Sequence, residues 1–355
     1  MDNHPTSSHL LDLISAPCFC VSDGRILACN AGAKGLLLQP GMSIEGLLHT
    51  GREEYAAFSS GSLYLTLNLE GSIFGATVER KDQADYFLMD EPAQTGELRA
   101  LALAARDLRA PMAGILATAE ELSLQAKDSE SARHQLGLMN RSLAQMLRII
   151  GNMSDACRVP PASRQETTDV CALFSEMFEK TSVLAETANV TIRYQGPEQP
   201  VFCLADREQL ERAVLNLISN ALKFAPAGGA LDASLTKSGK MLRFSIRDNG
   251  PGFAQNLLGN AFNRYLRQPC IEDGRNGLGL GMVLVRTAAA SHGGAVLIDQ
   301  PEGGGARVTM TMEIRQNAPG TLRSPVMRVD YAGEQDHALV ELADCLPAEL
   351  YKKET

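Results

Sequence analysis

The chain has 355 residues, of which 45% are hydrophobic, 5% aromatic and none Trp, and it carries a formal charge of −9. That is enough chain for two or three domains with ordinary cores, which excludes a peptide-sized module. The acidic surplus disfavours direct binding to nucleic acid or to an anionic membrane surface.

The first residues, MDNHPTSSHLLDL, have neither a basic stretch nor an apolar core of the signal-peptide kind, and no apolar run in the sequence is long enough for a membrane span. The eight cysteines are scattered without a CxxC pair or a Cys/His cluster, which argues against a metal site and for a reducing compartment. A cytoplasmic protein, meeting its signal inside the cell, is the expectation.

From Ser8 to about Asp90, short apolar runs alternate with turn signals. Ser22-Asp23-Gly24 lies between two strand-like runs in PCFCVSDGRILACN, and Glu70-Gly71 divides SLYLTLNLEGSIFGATVE. This pattern predicts a small α+β domain over residues 1–92, closed by the breaker MDEPAQTG. Leu101, Ala105, Leu108, Met112, Ile115, Ala119 and Leu122 then follow heptad spacing. The spacing returns after a polar turn as Leu136, Met139, Leu143, Met146, Ile150, Met153 and Cys157. Residues 93–160 are therefore expected to form an antiparallel helical hairpin. One hairpin buries too little to stand alone, so a homodimeric four-helix bundle follows. The Pro-rich linker RVPPASRQETT leads into an α/β sandwich domain, residues 165–315. The tail, 316–355, contains two strand-like pieces, VMRVDY and HALVELAD, to which the sequence assigns no mechanism.

Three stretches carry chemistry. In DREQLERAVLNLISNALKFAP the helix is apolar nearly all round, yet Asn216 and Asn220 are one turn apart, with Lys223 following on the same face. Buried carboxamides need partners: a hard cation and phosphate are one possibility, neighbouring backbone is the other. In RFSIRDNGPGF a strand runs into Asp248-Asn249-Gly250-Pro251-Gly252, where an aspartate at a strand end can accept from an amino group and glycines admit a close approach. Ordinary turn chemistry explains the same residues. In GRNGLGLGMVLVRTAAASHGG, Gly277, Gly279 and Gly281 open a helix whose free amides can face phosphate. The dinucleotide-binding layout does not apply, because no acidic residue closes a βαβ unit.

The ordered set NLISNALKF, DNGPG, AFNRYLR, NGLGLGMVLV and SHGG resembles the ATP-binding domain of sensor histidine kinases, a fold shared with gyrase and a class of heat-shock chaperone ATPases. The resemblance runs from about Glu97 to Ile314. Residues 1–92 look like a PAS sensor domain, on PCFCVSDGRILACNAGAKGLL. The resemblance implies two-component signal transduction with ATP and magnesium as cofactors. It implies that Asn220 holds magnesium, that Asn216 supports the phosphate side and that Lys223 contacts phosphate. Phe224 lies against the nucleotide, Asp248 bonds the adenine amino group, and Gly250 and Gly252 allow that approach. Gly277 and Gly279 form the phosphate-facing loop, while Phe262, Tyr265 and Arg267 belong to a mobile lid. Two positions depart from the family's usual pattern: Asn263 stands where it often has an acidic residue, and Arg275 where it has a glycine.

Against the family's usual SHELRTPL this sequence reads ARDLRAPM, so Arg106 occupies the place of the phosphoacceptor histidine, and Pro111 belongs to the pattern. A guanidinium stays protonated and offers no free lone pair, so it cannot accept a phosphoryl group as imidazole does. Asp107, at the position of the assisting base, has no histidine to assist, and Ala110 replaces the residue that positions water for dephosphorylation. His134, near the start of the second hairpin helix, is read as a solvated residue rather than a substitute acceptor. The expectation is a PAS-containing dimeric pseudokinase that binds Mg-ATP, with a response regulator or a partner histidine kinase as its target. The alternative is an active kinase phosphorylating a partner in trans.

Overall fold

The computed structural model describes residues 11–81, 83–90, 95–125, 129–156, 165–252, 262, 280–316 and 336–352. Strands β1 (Cys18–Ser22) and β2 (Arg25–Cys29) meet at Asp23-Gly24, and β3 (Ser62–Leu69) and β4 (Ser72–Lys81) at Glu70-Gly71. Both turn pairs have positive φ, 49° and 72° in the first and 50° and 89° in the second. This is the backbone that two-residue hairpins require, and Asp-Gly supplies it at little cost. With β5 (Ala84–Met89) they form an antiparallel sheet in the order β2-β1-β5-β4-β3. Helix α1 (Ala31–Gly35) is fixed to the sheet by Asn30, whose Oδ1 accepts from the amides of Ala33 and Cys18. A second short helix, α2 (Arg52–Ala56), precedes β3, and Phe19 stacks on Phe87 in the core at 4.7 Å.

Helices α3 (Thr95–Gln125) and α4 (Glu130–Ala156) form the hairpin, and α3 runs on through Pro111. Its heptad is split. Ala105, Met112 and Ala119 are buried, whereas Leu108, Ile115 and Leu122 are 44–46% exposed. Packing within one chain satisfies one of the two apolar positions per heptad and leaves the other facing outward.

The third part contains β6 (Glu166–Asp169), α5 (Val170–Thr187), β7 (Thr191–Gln195), β8 (Phe202–Ala205), α6 (Arg207–Phe224), β9 (Ala230–Ser238), β10 (Met241–Asp248), α7 (Gly281–Ser291), β11 (Val296–Asp299) and β12 (Arg307–Glu313). Strands β11-β12-β10-β9-β7 make one sheet, and β6 and β8 a separate pair. Helices α5 and α6 cover the larger sheet through Phe174, Phe178, Leu210 and Leu217, with Phe174 edge-on to Phe244 at 5.0 Å.

The sequence gives no hint that these two sheets join. Strand β3 pairs antiparallel with β11, Tyr64 opposite Val296, Leu63 opposite Leu297 and Ser62 opposite Ile298, making one ten-stranded sheet. Beside this seam Arg286 of α7, a buried cation, bonds Asp90 at 2.7 Å and lies 5.0 Å from the centre of the Tyr64 ring.

The SHGG turn has an internal role. His292, buried at the end of α7, accepts the Asp206 amide at Nε2 (3.0 Å), and its Nδ1 lies 2.7 Å from the Ala288 carbonyl. This is a neutral imidazole bridging two elements, and burial holds its pKa below the usual 6.5. The unfolded chain therefore takes up the proton first. The stability contributed is fully present above pH 6.5 and is lost as pH falls through the lowered folded value. Thermal unfolding scanned from pH 7.5 to 5.5 is expected to show this loss in the wild type and a flatter profile in His292→Gln. Parallel profiles would count against the assignment.

The tail corrects one expectation. HALVELAD is not a strand: His337–Glu341 is a short helix, α8, capped by Asp336, whose Oδ1 accepts from the amides of Ala338 and Leu339. An aspartate N-cap fixes the first turn, and Ala338, Val340, Leu342, Ala343 and Leu346 are buried. A 3-10 turn, Ala348–Tyr351, follows. VMRVDY lies outside the described residues. The tail packs against α4, α5 and α6, with Asn140 donating to the Tyr351 carbonyl (3.0 Å) and Arg141 to that of Ala343 (2.9 Å).

Candidate functional site

Helix α6 organises the site. Asp206 caps it by accepting the Gln209 amide, Glu208 lies in its first turn and Lys223 in its last, each placed to favour the helix dipole. Its apolar residues are buried against the sheet and α7, and one stripe of the helix is polar: Arg212, Asn216, Ser219, Asn220 and Lys223.

Asn216 makes the backbone bond that the sequence left open, Nδ2 donating to the Arg212 carbonyl at 2.9 Å, and the same nitrogen is 3.4 Å from Glu341 Oε2. Its Oδ1 faces the opening of α7. A methyl group at Gly281 would lie 2.8 Å from it and 3.8 Å from Asn220 Nδ2, so glycine is what lets α7 start this close to α6. No side chain caps α7 at Leu280. Asn220 is half-buried beside that helix start, which places a carboxamide next to uncapped amides.

At the other end of α6, Phe224 is 51% exposed, and its carbonyl fills the space a Cβ at Gly250 would take, at 2.4 Å. Asp248 is buried at the end of β10, its Oδ1 accepting the amides of Gly250 (2.8 Å) and Ala306 (3.3 Å). Gly252, at φ 77°, has Gln300 Nε2 2.4 Å from its Cβ position. Gly250 and Gly252 thus first serve close packing within the chain, before any ligand is considered. One helix therefore connects a buried strand-end carboxylate to a glycine-opened helix start. That arrangement can hold an elongated ligand with a hydrogen-bonding head and an anionic tail.

Lys223, expected at phosphate, is elsewhere engaged. Its ammonium is 2.7 Å from Asp344, with only 5% and 9% of the two side chains exposed. Burial, with Arg148 nearby, draws its pKa below the usual lysine value against the pull of Asp344. Phe262, expected in a lid, is fully buried with its ring 5.6 Å from that of Tyr64, an anchor at the seam between the sheets. Tyr265, Arg267, Gly277 and Gly279, like Asn263 and Arg275, lie outside the described residues. Arg106 and Asp107 are exposed on α3 and bond each other at 3.2 Å. His134 is exposed on α4, 3.7 Å from Glu349.

Sequence reasoning missed Arg212, Glu341 and Asp344. Arg212 carried a signal, being one turn before Asn216 on the same face. The two acids carried none, because only the fold brings the tail to α6.

Residues 205–316 match the family described as histidine kinase-, DNA gyrase B-, and HSP90-like ATPase. Sensor protein SphS of Synechococcus elongatus is 31% identical over 222 residues, 59% of this chain and 53% of its own length. The sensor-like histidine kinase SenX3 of Mycobacterium tuberculosis is 27% identical over 248 residues, 67% of this chain and 58% of its own. The chain thus spans little more than half the length of these relatives. Among solved structures, full-length ShkA in complex with AMPPNP shares the fold at a TM-score of 0.50 and 23% identity, covering 62% of this chain and 47% of that one. These findings support a sensor histidine kinase family and an ATPase domain of the histidine-kinase type. Among the described residues no helix is long and apolar enough to cross a membrane.

Proposed function

We propose that this chain is a histidine-kinase-like signalling protein that binds Mg-ATP between α6 and α7 and acts as a pseudokinase. The observation that carries the reading is Arg106. It is exposed on the hairpin where an acceptor must be reached, is ion-paired with Asp107, and is a residue type without a lone pair to accept phosphorus. In this reading Asp248 bonds the adenine amino group, and Phe224 supplies an apolar face beside it. Asn216 and the start of α7 face the phosphates, and Asn220 ligates magnesium. Magnesium, when bound, neutralises phosphate charge, and a carboxamide oxygen is a suitable ligand for so hard a cation. Gly277 and Gly279, with Tyr265 and Arg267, complete the phosphate loop and lid.

The output is conformational: nucleotide occupancy biases the hairpin, which acts on a response regulator or a partner histidine kinase in the cytoplasm. Residues 1–92 act as a PAS-like sensor, and their joined sheet gives the sensor a direct route to the ATPase domain. The outward-facing Leu108, Ile115 and Leu122 support a homodimer in which a second hairpin covers them.

The test is incubation with magnesium and γ-labelled ATP, following nucleotide binding and acid-labile label together. Wild type is expected to bind ATP and stay unlabelled, Arg106→His to gain label, and Asn220→Ala to lose magnesium-dependent binding. Asn220-dependent labelling of the wild type would overturn the pseudokinase reading. Label appearing only on an added partner protein would favour an active kinase working in trans.

A further inference from the structure

The polar stripe of α6 is engaged by acids of the tail. Asp344 bonds Lys223 and also pairs with Arg148 of α4. Glu341, fully buried, lies 3.3 Å from Arg212 Nε and 3.4 Å from Asn216 Nδ2. Between them Ser219 is covered by Cys345, whose Sγ bonds the Ser219 carbonyl at 3.4 Å. Three cations, Arg148, Lys223 and Arg212, thus share one buried patch next to Asn216, whose other amide atom faces the start of α7. Three cations on a buried surface demand anions. In this structure, two carboxylates from a segment remote in sequence provide them.

We propose that residues 336–346 are an intramolecular plug that competes with nucleotide: Glu341 and Asp344 hold Asn216 and Lys223, the groups that the polyphosphate of Mg-ATP needs. The inference rests on the ATP-binding reading above. In the sequence residues 317–335 separate the plug from the strand β12, so α8 and the sheet are not adjacent parts of the chain. The contact is of an exchangeable kind. Taking Lys223 and Asp344 out of water costs much of what their attraction returns, and a polyanion offers the same cations more charge. Binding of ATP and docking of the tail are therefore mutually exclusive. Whatever frees the tail, whether a partner or the sensor sheet, raises the affinity for nucleotide.

The experiment uses the full chain. The Kd of a fluorescent ATP analogue with magnesium is measured for wild type and for the Glu341→Gln/Asp344→Asn double variant. Alkylation of Cys345, a plug residue whose thiol the docked tail turns onto Ser219 of α6, is followed in wild type by peptide mapping with and without Mg-ATP. The expected result is binding about tenfold tighter in the double variant and Cys345 modification several-fold faster with Mg-ATP. If both proteins bind with the same Kd and Mg-ATP leaves Cys345 protected, the plug is refuted while the ATP reading stands. If neither protein binds nucleotide, the ATP reading fails and takes the plug with it. Should the double variant fail to fold, the wild-type Cys345 rates decide alone, acceleration supporting the plug and unchanged protection refuting it.

Discussion

Gly61→Val is expected to part the ten-stranded sheet at the β3–β11 seam while leaving both halves folded. Gly61 precedes β3 at φ 93°, outside the range a β-branched residue adopts, and a Cβ there would lie 2.2 Å from the Ile298 carbonyl oxygen. The backbone strain costs about 1–3 kcal/mol, and the overlap with a backbone atom that cannot rotate away about as much again. Among the described residues the strand ladder at the seam has three pairs, Ser62, Leu63 and Tyr64 with their partners, buttressed by the Arg286–Asp90 bond and the Tyr64–Phe262 ring contact, so the penalty is large relative to what the ladder supplies. Two separate apolar clusters sustain the halves, one around Phe19, Leu65 and Phe87 and the other around Phe174, Leu217 and Phe244. The expected calorimetric result is a split of one transition into two, with faster hydrogen exchange at Ser62–Tyr64 and Val296–Ile298. A single transition at the wild-type temperature would show that the junction accommodates a side chain. On the proposed reading the consequence is specific: Arg286 joins the seam to α7, whose start borders the candidate nucleotide site, so parting the sheets removes that connection.

How much of this was legible depended on whether the determining force was local. The Asp23-Gly24 and Glu70-Gly71 turns were readable because positive φ is a property of two residues. The heptad of α3 was readable as a period, but not its division into the buried Ala105, Met112 and Ala119 and the exposed Leu108, Ile115 and Leu122, because a period does not say which partner covers which row. On α6 the sequence pointed to Asn216, Asn220 and Lys223. It could not give their partners, since Glu341 and Asp344 come from more than a hundred residues away. HALVELAD read as a strand because a short apolar run has no decisive period. The Asp336 cap, with two amides bonded to one carboxylate oxygen, was the local signal for a helix. The sheet junction left no trace in the sequence: β3, SLYLTLNL, alternates as a strand with one wet face does, although the fold buries seven of its eight positions.

Arg212→Met is expected to release the tail rather than unfold the protein. Arg212, 2% exposed, donates to Asn152 Oδ1 of α4 (2.8 Å) and to Glu341 (3.3 Å). Removing one member of a buried pair costs about 3–5 kcal/mol when the other charge must stay buried. Glu341 need not stay, because on the plug reading α8, a five-residue helix, undocks and returns its carboxylate to water. The loss from the unpaired charge is thereby capped at the free energy of tail docking, to which the lost bond to Asn152 adds on the order of 1 kcal/mol. The unfolding temperature should fall by only about 2–4 °C per kcal/mol of that smaller quantity. Cys345 should become reactive without nucleotide. The Arg212→Met/Glu341→Leu double variant separates charge from shape, since well-packed apolar residues replace a buried ion pair at little or no cost. Cys345 protection is expected to return in it, together with the weaker binding of nucleotide. If Arg212→Met instead lowers the unfolding temperature by the full cost of an unpaired charge and leaves Cys345 protected until the whole chain unfolds, the tail is a fixed part of the core. Its acids then serve stability, not competition with ATP.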